Sequence, residues 1–166
     1  MKKKIALLAA LLTACGEDAH NEQITNPWRE ITEAEAKELC PASFSAPEGA
    51  ENIVWRAMEQ SGEGTLVELR FDLDGNSFTA REQTTADRQA DLSGMYYEWS
   101  EQREIRLQNS DDGTITGRYY RFVGEKEYAD LCIWYDEEAG TAYSLGVTAG
   151  EPDGFDLQAV AQTLCP

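Results

Sequence analysis

The chain has 166 residues, with 31 Asp and Glu against 14 Lys and Arg and a formal net charge of −17. That length supports one domain with a single core, and a surface this acidic repels phosphate backbones and anionic headgroups, which excludes a nucleic-acid partner. The acidity serves solubility near a membrane, or selects a cationic partner or calcium.

Lys2, Lys3 and Lys4 precede an apolar run from Ile5 that ends in Leu12-Thr13-Ala14-Cys15. A basic start, a short apolar stretch and small residues form the layout of a secretory signal, too short to span a bilayer. The last four residues resemble a lipobox, in which the closing cysteine is lipidated and becomes the first residue of the mature chain. We therefore expect a signal peptide over 1–14, lipid attachment at Cys15, and a protein on the extracytoplasmic face of the cell membrane, touching it through the N-terminal lipid. Residues 15–26 are polar, show no apolar period and carry the only histidine, His20, so they read as a tether. From Gly16 onward it reaches at most about 37 Å. A single extracytoplasmic domain then occupies 27–166.

Thr32-Glu33-Ala34-Glu35 matches a capping box, and Pro41 ends the segment, so a helix is expected from Glu33 to Cys40. From Asn52 to Thr148 the apolar period is two. It is clearest where Val67, Leu69, Phe71 and Leu73 alternate with Glu68, Arg70, Asp72 and Asp74, a strand with one wet face. Asp74-Gly75 suits a type I′ turn, with the return through Phe78 and Ala80 making a hairpin. Further strands are expected over Asn52 to Glu59, Arg103 to Gln108, Arg118 to Val123, Leu131 to Asp136 and Ala142 to Thr148, with turns at Asn109 to Gly113 and Glu137 to Gly140. Leu131 to Tyr135 is apolar on both faces and should be an interior strand. Leu157, Val160, Ala161 and Leu164 recur at helical spacing behind a cap at Asp156. The whole is an α+β pattern: one twisted antiparallel sheet of about six to eight strands, with N- and C-terminal helices packed on one face.

Once Cys15 is lipidated, Cys40, Cys132 and Cys165 remain, an odd number in a compartment where disulfides form. Cys40 and Cys165 each sit in a Leu-Cys-Pro tripeptide at an expected helix end, which favours pairing them. Three reduced, buried thiols are the alternative.

Asn26-Pro27-Trp28, Phe44 with Pro47-Glu48-Gly49-Ala50, Asp91-Leu92-Ser93-Gly94-Met95-Tyr96-Tyr97, and Trp134-Tyr135-Asp136 followed by Tyr143-Ser144-Leu145 occur in that order. Together they resemble an uncharacterised family of lipoproteins from anaerobic Gram-positive bacteria, related to a domain of unknown function found outside the membrane in some sigma-factor regulators. The resemblance spans about Asn26 to Leu164. It implies an extracytoplasmic sheet-and-helix domain and carries no catalytic residues. The spanning helix and cytoplasmic segment of the regulators have no counterpart here.

Nucleophilic hydrolysis needs an imidazole, and His20 lies in the tether. Zinc needs closely spaced Cys and His, which this chain lacks. Gly62-Glu63-Gly64 lacks the Lys-Ser/Thr pair of a phosphate loop. Asp72-Leu73-Asp74-Gly75-Asn76 reads as a hairpin rather than a calcium loop, because its Gly comes two residues early; Asp111-Asp112-Gly113 reads the same way. The expectation is therefore no enzyme, no cofactor and no metal. Aromatic residues concentrate between Tyr96 and Tyr143, and three adjacent pairs, Tyr96-Tyr97, Tyr119-Tyr120 and Trp134-Tyr135, are each expected to send one ring to each face of a strand. Those facing out could form a surface of Tyr96, Tyr97 and Trp99 beside Arg81 or Arg121, suited to a protein, peptide or glycan ligand; cross-strand core filling is the competing use. Asp91 to Trp99 reads as a loop crossing one end of the sheet, as a lid or a binding loop. The leading expectation is a non-enzymatic binding or accessory domain. A carboxylate-dependent hydrolase of envelope polymers and a sensor in a sigma-factor circuit are the alternatives.

Overall fold

The computed structural model describes residues 27–62, 64–85, 87–109, 113–149 and 155–165. The signal segment, Cys15, the tether with His20, and Asp111 and Asp112 lie outside the described residues.

The elements are β1 (Arg29–Ile31), α1 (Glu33–Leu39), β2 (Glu51–Gln60), β3 (Gly64–Leu73), β4 (Asn76–Thr84), β5 (Glu101–Gln108), β6 (Thr114–Val123), β7 (Tyr128–Asp136), β8 (Thr141–Ala149) and α2 (Leu157–Leu164). The strands form one antiparallel sheet of eight in the order β1-β2-β3-β4-β8-β7-β6-β5. It consists of two meanders, β1 to β4 and β5 to β8, joined along β4 and β8. Among the described residues no helix is long and apolar enough to cross a membrane.

Local chemistry explains the turns and caps. Asp74 and Gly75 both take positive φ, 50° and 78°, as a type I′ hairpin requires. At α1 the Thr32 side chain accepts from the Glu35 amide while the Glu35 carboxylate accepts from the Thr32 amide, so two orphan donors are met. At α2 the Asp156 carboxylate accepts from the amides of Gln158 and Ala159. β7 lies between β8 and β6, as its two apolar faces lead one to expect.

Register divides the sheet into two faces. One carries Trp55, Val67, Leu69, Phe71, Phe78, Ala80, Leu145, Tyr143, Trp134 and Tyr119, and this Val67 face is the buried core, which Ala36 of α1 and Leu157, Val160, Ala161 and Leu164 of α2 join. Trp134 and Tyr143 stack on it at 5.3 Å and 8° between ring planes, and Phe71 stacks on Phe78 at 5.3 Å. Such pairs add about 0.5–1.5 kcal/mol each beyond burial.

The other face, the Glu68 face, is not the wet surface that the alternation of β3 implies. Glu68 is 0% exposed. Residues 87–100, between β4 and β5, cross this face as an irregular strap rather than passing round one end of the sheet. Tyr96 and Tyr97 are in that strap and not on a strand, which removes one of the three expected in-and-out pairs. The other two are present, with Tyr119 and Trp134 buried and Tyr120 and Tyr135 half-buried.

Cys40, Cys132 and Cys165 are all free thiols in the structure, so the expected Cys40–Cys165 bond is not formed in it. Burial pushes the Cys132 thiol up to about 12, with the Asp130 carboxylate adding to the effect.

Candidate functional site: a cleft beside the strap

The strap is held in place although it has no regular structure. Its backbone is satisfied by its own short side chains: Asp87 accepts from the Gln89 amide and Asp91 from the Ser93 amide, both at 2.9 Å, and Ser93 Oγ accepts from the Met95 amide at 3.1 Å. Arg81 of β4 anchors its middle, donating from one terminal nitrogen to the carbonyls of Leu92 at 2.9 Å and Ser93 at 2.8 Å. Met95 lies over Gly146 of β8, where any side chain would collide with its sulfur. Further along, Tyr97 stacks on Phe122 at 4.8 Å and donates to Glu127 at 2.8 Å, and Trp99 packs on Tyr120 at 5.6 Å.

Beneath the strap Glu68 accepts from three arginines: Arg56, Arg70 at 2.8 Å and Arg81 at 2.8 Å. Burial alone would raise its pKa, but the hydrogen bonds and charges of Arg56 and Arg81 outweigh burial and hold the carboxyl below the usual range. Trp28 lies across two of these arginines, its ring 4.9 Å from the Arg56 guanidinium and 5.4 Å from that of Arg81.

Trp28 and the strap bound a cleft of about 460 Å³. Met58, Leu66, Gln60, Gln83 and Arg81 form its floor, and Tyr96 stands at its rim. Arg81 spends Nε on Glu68 and one terminal nitrogen on the strap; its second terminal nitrogen makes no hydrogen bond among the described residues. The cleft thus offers an aromatic wall, an exposed aromatic rim, an amide pair in which Gln83 donates to Gln60 at 2.7 Å, and one uncommitted guanidinium donor. A second groove of about 550 Å³ lies across the strap, lined by Arg88, Gln102, Arg118 and Tyr135. Among the described residues no three His, Cys, Asp or Glu side chains are grouped to hold a metal ion.

The residues expected to form one surface are therefore divided. Arg81 and Tyr96 meet in the cleft. Tyr97 and Trp99 lie further along the strap and fasten it to β6. Arg121 belongs to the opposite face, because its register partner is Asp130, which is wholly buried there; Arg121 donates to that carboxylate at 3.1 and 3.0 Å, and the hydroxyls of Tyr119 and Tyr128 donate to it at 2.7 and 2.6 Å. This is a structural network, buried at Asp130 and open to solvent only along Arg121, whose side chain is 35% exposed. Trp28, Arg56 and Glu68 are not singled out by the sequence as site residues because their meeting depends on cross-strand register. The register pairing of Arg56 with Glu68 and of Glu68 with Arg81 is the signal that locates them.

Gly94 gives a direct test of the anchor. Its φ is +65°, and an added Cβ would lie 2.9 Å from the Arg81 guanidinium. Gly94→Ala should cost about 1–2 kcal/mol in chemical denaturation. Gly75→Ala, with φ +78° but nothing near its Cβ, isolates the backbone penalty; the excess at Gly94 reports the displaced arginine, and equal costs would refute the anchor.

No family model, curated protein or solved structure matches this chain. The class that the geometry defines is an open eight-stranded antiparallel sheet with a strapped face and a cleft beside the strap.

Proposed function

We propose that this chain is a lipid-anchored extracytoplasmic lipoprotein of the family it resembles, and that its domain binds an extended polar ligand, a peptide or a glycan, in the cleft between Trp28 and Tyr96 without turning it over. In this reading α1 and α2 together cover the Val67 face, because Ala36 and Leu157 share one buried cluster with Val67 and Leu145. The Glu68 face is then left for the strap and its cleft, and the lipid at Cys15 keeps both near the membrane.

The observation that carries this reading is Tyr96, 93% exposed at the rim of the cleft. A tyrosine so placed adds nothing to the core, whereas an aromatic ring beside amides and an open guanidinium suits sugar faces and peptide groups. The test is titration of the folded domain with soluble peptidoglycan fragments and cell-wall peptides, followed by NMR. Shifts should cluster on Trp28, Arg81, Gln83 and Tyr96, and Tyr96→Ala should weaken binding at least about tenfold with an unchanged melting temperature. Equal affinity in Tyr96→Ala, shifts located elsewhere, or no binding across the panel would refute it.

A further inference from the structure

The cleft is lined by charges of both signs that are not paired with one another. Arg81 is on its floor, and Asp87 and Asp91 of the strap are on its wall. Each aspartate gives one carboxylate oxygen to the strap's own backbone, to the amides of Gln89 and Ser93 at 2.9 Å, and neither makes an ion pair among the described residues. The two signs are nonetheless held side by side, because Leu92 and Ser93, whose carbonyls accept from Arg81 at 2.9 and 2.8 Å, directly follow Asp91. Beneath the cleft the balance is cationic. Arg56, Arg70 and Arg81 share the single carboxylate of Glu68, and the side chains of Arg56 and Arg81 are only 18% exposed. Three guanidiniums against one carboxylate leave positive charge in excess here, in a chain whose net charge is −17. Partly desolvated guanidinium of this kind is matched far better by an anion than by neutral hydroxyls.

We propose that the ligand of the cleft is a peptide end carrying both signs of charge: a free C-terminal carboxylate that pairs with Arg81, and a lysine-type ammonium that pairs with Asp87 and Asp91. This rests on the reading of the cleft as a polar-ligand site and narrows it, since a neutral glycan answers neither charge. The second terminal nitrogen of Arg81, uncommitted among the described residues, supplies a charge-assisted bond to one carboxylate oxygen. Each aspartate keeps a carboxylate oxygen beyond the one its backbone amide uses, and that oxygen accepts from the ammonium. Trp28, with its ring 5.4 Å from the Arg81 guanidinium, and Tyr96 at the rim give the apolar parts of the peptide two aromatic faces. The volume of about 460 Å³ is that of a small-ligand site, so it takes the last few residues of a chain and not a folded partner.

The test changes the charges on the ligand, which leaves Arg81 and the strap intact. The full chain carrying Cys15→Ser is titrated by NMR with the tripeptides acetyl-Ala-Ala-Lys and acetyl-Ala-Lys-Ala, each as the free acid, as the C-terminal amide, and with the lysine amine acetylated. The free acid of at least one tripeptide should shift Trp28, Arg81 and Tyr96. Its amide should bind at least about tenfold more weakly, and its lysine-acetylated form about two- to fivefold more weakly, because the two aspartates are exposed. In the double variant Asp87→Asn, Asp91→Asn, whose amide oxygens still accept from Gln89 and Ser93, the melting temperature should be unchanged and the lysine-acetylated and free forms should bind equally, while amidation still weakens binding. Equal affinity for the free acid and its amide, or a penalty for lysine acetylation that persists in the double variant, overturns the proposal and leaves the polar-ligand reading of the cleft standing. Shifts in the cleft from peptidoglycan sugar fragments, with none from either tripeptide, do the same. No shift from tripeptides or sugars overturns both.

Discussion

Replacing Glu82 by glutamine is expected to leave stability nearly unchanged at pH 4.5 and to raise it by roughly 3–5 kcal/mol above pH 8. Glu82 of β4 is 0% exposed on the Val67 face, where its carboxyl accepts from the Ser43 hydroxyl and from the Phe44 amide at 3.2 Å. Among the described residues no cation pairs with it. Burial drives its pKa from 4.5 up to about 8, and the bonds from Ser43 and Phe44 only moderate the rise. A raised carboxyl holds its proton in the folded chain after the unfolded chain has lost it. Stability from this group is therefore complete below 4.5, falls as pH rises from 4.5 to about 8, and stays low above that. Glutamine carries no charge; its Oε1 can accept from the Phe44 amide while its NH2 donates to the Ser43 hydroxyl oxygen, which can act as acceptor instead of donor. Urea midpoints measured from pH 5 to pH 9 should fall in the parent relative to the variant; parallel profiles would mean that the buried carboxyl does not titrate in that window.

Glu68→Gln should act in the opposite sense, destabilising the domain by about 3–5 kcal/mol at neutral pH. The variant leaves Arg56 and Arg81, each with a side chain 18% exposed, facing each other without their shared anion. Arg70 matters less, since half of its side chain is in water. Because Arg81 also holds Leu92 and Ser93, hydrogen exchange across the strap should accelerate along with the loss of stability. Adding Arg81→Gln to Glu68→Gln should recover part of the loss by removing one stranded charge, which a double-mutant cycle measures. A cost below about 1 kcal/mol would put the cluster among ordinary surface pairs. Glu68, with its pKa lowered, stabilises above the usual carboxylate range and loses that contribution in acid. Combined with Glu82, it places the stability maximum on the acid side of neutrality.

The sheet was legible because alternation is strict where it matters. Val67 to Leu73, the Asp74-Gly75 turn and the doubly apolar run from Leu131 identified β3, the hairpin and an interior strand. β1 was not, since three residues are too few for a period to show. The same alternation misplaced Glu68, because period two says which residues share a face and nothing about what covers it. The strap and Trp28 cover this one, and neither has a periodic signal. Glu82 shows the converse. Its register partners are Val67 and Tyr143, a core position that a chain with 31 acidic residues does not advertise. Of the residues expected to share a surface, Arg81 and Tyr96 come together at one cleft, whereas Arg121 lies on the other face with its register partner Asp130, a matter of parity that residue type does not show.

The order of the strands also has a consequence for how the chain is made. β1 to β4 emerge first and pair with near neighbours, a local and rapid topology. β4 then waits with one edge bare, Phe78 and Ala80 beside it, until β8 arrives after β5, β6 and β7 have been synthesised. During synthesis that edge is the chain's main aggregation hazard. Arg81 and Glu82, side by side in the middle of β4, are the charges that guard it until the partner strand closes the sheet.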